Sequence, residues 1–271
     1  MTFEFSKQGG LTNIYGAGKN VITKLPTVNF WRAPTDDDFG EKVPKKLRVW
    51  EAASYAEQYF FDGVDEKEGN YTVKYTVKPQ GVEAEVKLYY TINKNGSLTV
   101  DATYITLGGN LPELPRFGVN LELDNRLNNF TWYGRGPWEN YVDRKFDTFM
   151  GIWKGDVKDQ VFAYYRPQET GNKTDVRWLM LTDDQGNGIR IDGAQSLSVS
   201  ASNYRIEDLD AGITKKQQHF VDVIPAKNVI LNVDLFQRGV AGLDAWQSPP
   251  LDKYRYFGKE YRYSFTMSFI R

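Results

Sequence analysis

Trp246 sits in an irregular stretch, Gly239 to Pro250 (GVAGLDAWQSPP), where two glycines, Asp244 and two prolines hold the chain in a tight loop. A large apolar ring on such a loop is badly placed for a core and well placed to lie against the carbon face of a sugar. A second stretch, Asn29 to Gly40 (NFWRAPTDDDFG), sets Arg32 beside Asp36, Asp37 and Asp38. These types suit a loop tied by charge-assisted hydrogen bonds, and equally a solvated acidic turn or a helix cap. Calcium also uses neighbouring aspartates, but the spacing lacks the glycine and distal glutamate of an EF-hand loop. In Trp132 to Arg144 (WYGRGPWENYVDR), Gly134 and Gly136 before Pro137 force a sharp turn after a strand. Arg135, Glu139, Asp143 and Arg144 there are spaced to form an ion-pair network. Tyr164 to Trp178 (YYRPQETGNKTDVRW) gathers Gln168, Glu169, Asn172, Asp175 and Arg177 within ten residues, with rings at each end. Such a cluster suits sugar hydroxyls, or a buried brace between sheets.

These stretches interrupt a chain of period two. Tyr71, Val73, Tyr75 and Val77 alternate with polar residues, as do Ala84 to Tyr90 and Leu98 to Tyr104, with turn residues between. That pattern predicts a half-buried antiparallel meander. Val229 to Leu235 and Tyr261 to Phe269 repeat it, the last read as a strand closing a sheet, and His219 to Ile224 reads as a further strand. Lys45 to Phe61 could hold a short helix, with Leu47, Trp50 and Ala53 on one side. No repeat or low-complexity linker divides the chain. The expectation is one all-β domain over residues 1–271, two large antiparallel sheets packed face to face. Residues 29–40, 112–118, 132–144, 164–178 and 237–250 would be the loops that carry the chemistry.

Composition narrows the functions. The 34 basic and 35 acidic residues nearly cancel and no basic block stands out, which disfavours nucleic acid and anionic membranes as partners. No apolar run is long enough to span a membrane. Met1 leads directly into Thr2 to Phe5, so no signal peptide is expected, and a piece cut from a longer protein would also lack one. Cysteine is absent, which removes disulfides, thiol nucleophiles and thiolate metal sites. Aromatics make up 15% of the residues, and a large β core accounts for most of them.

Taken in order, five segments carry a resemblance. They are NFWRAPTD from Asn29, LPRFG from Leu114, GRGPWENY from Gly134 with Asp143 and Arg144, PQETGN from Pro167 with DVRW from Asp175, and the loop of Asp244 and Trp246. Together they resemble the small-chain, C-terminal domain of family-2 β-galactosidases, over nearly the whole chain. One departure is visible. The family usually has TDNDxG, and this chain has Asp37 where the asparagine stands, which adds a negative charge.

The resemblance implies a two-layer antiparallel supersandwich of the galactose mutarotase-like kind, from the end of a multidomain, bacterial type of enzyme. Catalytic glutamates, and the magnesium and sodium sites the family often uses, would lie in a separate TIM barrel, so this chain is expected to hold no cofactor or metal. Its partners would be the remaining domains and a β-galactoside. A homo-oligomer of the parent stays open, as do bacterial cytoplasm and periplasm. Trp246, with Asp244, would contact substrate at the rim of the active site. Gly40 matches the start of a loop near that site. Arg32, Asp36, Asp38, Glu139, Asn140, Gln168, Glu169, Asn172 and Arg177 are the rim or structural candidates. A retaining glycosidase needs two carboxyl groups about 5–5.5 Å apart. The alternating βα units of a barrel are missing, so the chain alone is expected to hydrolyse nothing. Two other readings stay open: a free-standing carbohydrate-binding module, and an aldose 1-epimerase whose acid–base work would fall to His219, the chain's single histidine.

Overall fold

The alternating segments pair as their period predicts. In the computed structural model, which describes residues 2–15, 21–242, 244 and 248–270 (Leu25 by its backbone alone), β5 (Asn70–Pro79), β6 (Ala84–Ile92) and β7 (Leu98–Thr106) form an antiparallel meander. Val86, Leu88, Tyr90, Val100 and Ala102 fall on its buried face. β4 (Glu57–Lys67) extends the meander at its outer edge.

The C-terminal strand β14 (Glu260–Ile270) does not close the sheet. It lies inside it, between β7 and β12 (Gly188–Ser202). β12 is where the architecture divides. Its first half pairs with β14 and its second half with β13 (Val229–Gln237), while β11 (Lys173–Thr182) runs along its other edge. β13 continues to β8 (Arg116–Leu123) and β3 (Ile22–Asn29), and β11 continues to β9 (Asn129–Gly136) and β10 (Phe149–Asp156). The expected two layers are therefore two arms of one 12-stranded sheet. The arms meet through rings: Phe117 of β8 lies 5.4 Å from Tyr263 of β14, and the Tyr263 hydroxyl donates to Val233 O of β13 at 3.1 Å. The fold is an all-β antiparallel sandwich. A hairpin of β1 (Thr2–Ser6) and β2 (Gly10–Tyr15) covers the meander, where the Tyr75 hydroxyl donates to Ser6 O at 2.8 Å.

Two expectations need correction. The helical segment is split into α2 (Val43–Lys46) and α3 (Val49–Tyr55), and ends before Phe61. From Glu57 onward, pairing with β5 overrides the helical pattern. His219 to Ile224 is no strand. Phe220–Asp222 forms a 3₁₀ turn in which Phe220 and Val223, three apart, are buried while Val221 and Ile224 face solvent.

Candidate functional site

The acidic stretch becomes helix α1 (Asp36–Glu41). Thr35 caps it: its hydroxyl accepts from Asp38 N at 3.1 Å, and Asp38 Oδ2 accepts from Thr35 N at 2.9 Å. The cap brings Asp38 to two buried arginines. Arg32 Nη2 donates to both carboxylate oxygens at 3.0 Å and Arg238 Nη1 donates to Oδ1 at 3.1 Å. Arg32 also donates to the carbonyls of Arg238 (2.7 Å) and Gly239 (3.1 Å), where the tryptophan loop begins. Arg238 pairs further with Glu41 and lies 3.2 Å from Glu113, which Arg255 meets at 2.8 Å. Asp143 grips the next two residues of the loop, accepting from Val240 N at 3.1 Å and Ala241 N at 2.9 Å. Asp244 is exposed and accepts from the Ser248 hydroxyl at 2.8 Å. Trp246 lies outside the described residues.

A second buried group continues from the first. Arg116 Nη2 donates to Glu169 Oε1 at 3.1 Å, and Gln237 Nε2 donates to the same oxygen at 3.1 Å and to Asn172 Oδ1 at 2.9 Å. Asn172 Nδ2 donates to Asn140 O, while Asn140 Oδ1 accepts from the Thr174 amide and hydroxyl. Gln168, Glu169 and Asn172 are buried; Glu169 and Asn172 join this brace, and Gln168 bonds Asp36. Asp234 lies 3.2 Å from Arg116 Nε, but neither of its oxygens is aligned for a hydrogen bond. Burial pushes its carboxyl up to about 8, against the pull of Arg116. Four cations (Arg32, Arg116, Arg238, Arg255) meet five carboxyl groups here (Asp38, Glu41, Glu113, Glu169, Asp234).

Over this floor opens a cleft of about 200 Å³ lined by Asp36, Asp37, Tyr141, Arg144, Tyr164 and Val240, among others. Arg144 Nη2 donates to Glu139 at 2.5 Å and to the Tyr164 hydroxyl at 2.8 Å. Glu139 Oε2 accepts from the Thr170 hydroxyl and Gly171 N. Asp36 N donates to Gln168 Oε1 at 3.0 Å, tying α1 to this wall.

The structure thus joins Arg32, Asp36, Asp38, Glu139, Asn140, Gln168, Glu169 and Asn172 at one end of the sandwich. Arg177 is exposed on β11. Two expectations are corrected. Gly40 lies in α1 rather than a loop. The single network expected of Arg135, Glu139, Asp143 and Arg144 is divided, because Arg135 turns to Asp175 (2.7 Å) and Asp143 turns to the loop amides. Asp36, Asp37 and Asp38 do not converge on one cation: Asp38 is held by arginines and Asp36 by Lys215. His219 is exposed, edge-on to Tyr165 at 4.6 Å. Sequence reasoning gave no role to Arg238, Arg255, Glu41 or Glu113. The available signal was a set of lone charges inside apolar or proline-bounded runs, such as Phe236 to Arg238 and Pro112 to Arg116.

This is an all-β sandwich with a charged, loop-anchoring end. The chain belongs to the family described as beta galactosidase small chain, whose sequence model matches residues 1–267. It is similar to a β-galactosidase of Priestia megaterium, 34% identical over 253 residues, covering 88% of this chain and 23% of that protein. A β-galactosidase of Halalkalibacterium halodurans is 34% identical, covering 92% and 25%. Beta-galactosidase BgaC of Bifidobacterium adolescentis is 30% identical, covering 92% and 24%. The chain therefore spans about a quarter of the length of these relatives.

Proposed function

We propose that this chain completes the active site of a retaining, family-2 β-galactosidase whose catalytic barrel is supplied by the rest of the polypeptide. In this reading Trp246, flanked by Asp244, offers a ring to the apolar face of the galactoside, and the sandwich packs against the barrel. The observation that carries it is the clamp on the stem of the Trp246 loop: Arg32 on Gly239 O, and Asp143 on the Val240 and Ala241 amides. A contact residue is useful only if its loop is held by rigid support. The chain alone hydrolyses nothing in this reading. Asp38, Glu41, Glu113 and Glu169 are engaged by arginines and are not free to act as nucleophile or acid.

A ring stacked on a sugar contributes on the order of 1–3 kcal/mol. Trp246→Ala in the whole enzyme should then raise KM by about fivefold or more with little loss of expression. Unchanged kinetics defeat the assignment. Titrating the 271-residue chain with galactosides separates this reading from a free-standing binding module, which would bind tightly where the platform reading expects very weak binding.

A further inference from the structure

The cleft beside the loop stem contains a charge and a hydroxyl that no described residue pairs with. Asp36 pairs with Lys215, Glu169 with Arg116, Glu139 with Arg144, and Asp38 with Arg32 and Arg238. Asp37, half-buried in the same cleft, is the remaining carboxylate; Lys215 and Arg144 act on it only from beyond ion-pair distance. Burial, then the neighbouring Asp38 and Asp36 carboxylates, push its pKa up. Tyr141 lines the cleft with 2% of its surface exposed, and its hydroxyl has no hydrogen-bond partner among the described residues. A buried hydroxyl normally has one.

We infer that this cleft binds an organic cation that donates hydrogen bonds, a guanidinium or an ammonium, with Asp37 as counter-ion and the Tyr141 hydroxyl as acceptor. Its volume, about 200 Å³, admits such a group. The cation is either a basic side chain from the rest of the enzyme or a free amine. The inference rests on the cleft and not on Trp246.

The test is an NMR titration of the 271-residue chain with methylguanidinium chloride, against sodium chloride at equal ionic strength and against galactose. Saturable shifts at residues 36–38 and 141 are expected with methylguanidinium alone. Asp37→Asn should weaken binding by about tenfold or more, and Tyr141→Phe by severalfold. Shifts equal to those of sodium chloride, or unchanged affinity in Asp37→Asn, overturn the inference. Repeating the titration on the whole enzyme distinguishes the sources: a closed site means that a basic side chain fills it, and an open one means a free amine. Galactose shifts at residues 239–241 without any cation effect would sink this inference and leave the proposed function standing.

Discussion

Asp38→Asn is the sharpest test of the buried charge cluster. The change keeps the volume and removes one charge, turning an acceptor oxygen into a donor that faces arginine donors. Asp38 and Arg32 are each 2% exposed, and Arg238 is 1% exposed. Removing one partner of a buried ion pair typically costs about 3–5 kcal/mol, because the other charge stays buried. Arg238 keeps Glu41 and Glu113, so Arg32 is the residue left without a counter-charge. That places the loss near the lower end, about 3–4 kcal/mol, with part of the cap bond to Thr35 N included. For a chain of this size the melting temperature should fall by about 10 °C. Urea denaturation followed by circular dichroism reads the difference. Asp36→Asn is the control: its pair with Lys215 is exposed and should be worth less than about 1 kcal/mol. If Asp38→Asn loses no more than Asp36→Asn, the charges of this cluster do not hold the end of the sandwich together.

Three further outcomes follow from the same geometry. Gly118→Ala should cost about 3 kcal/mol or more in urea midpoint, since a Cβ there would lie 2.0 Å from Asp234 Oδ1 and 2.5 Å from its backbone Cα, so β8 must move off β13; a well-folded variant with an unchanged midpoint refutes the tight register. Lys173→Met should gain stability relative to the parent at pH 7, since burial depresses the Lys173 amine to about 8, with part of the gain offset by the lost bond to Gly171 O. Below that value both states carry the charge and its burial cost is complete; between about 8 and the ordinary lysine value only the unfolded chain keeps the proton, so the parent gains stability as pH rises and the advantage of Met shrinks. A difference that does not change with pH would contradict this. The double change Arg32→Met with Asp38→Leu should regain most of the stability lost in Asp38→Asn, as buried ion pairs replaced by apolar groups often do. Amide exchange at Val240 and Ala241 should nevertheless stay faster than in the parent, because Gly239 O has lost its donor.

The strands were legible because burial on one face imposes period two, and β6 and β7 follow it residue by residue. Elements under four turns long were not. TDDDFG reads as a turn or a cap, and only the reciprocal Thr35–Asp38 bonds, with arginines behind them, favour a helix. Phe220 to Ile224 reads as a strand from its apolar content, yet only two of its apolar side chains find a core to enter. The site was legible in its residue types and not in its pairings. Arg238 meets Asp38 across a separation of 200 residues, and no local spacing encodes that contact. The burial of Gln168, Glu169 and Asn172, which no local spacing states, came only with the structure.

An apolar filling would stabilise this end of the sandwich as well as the charges do, so the charges need another reason. Methyl groups tolerate small displacements, and cores keep folding when repacked. An arginine fork does not, since its donors fit acceptors only at set distances and angles. Arg32 bonds the carboxylate of α1 and the carbonyls of Arg238 and Gly239 at once. Those bonds form together only when α1 and the stem after β13 sit in one relative position. Asp143, from the turn after β9, then fixes the next two amides from the other side. The arrangement thus locates the start of the 239–250 loop from three separate segments of chain, which is what a module needs if it is to present one side chain to a site built mostly by others.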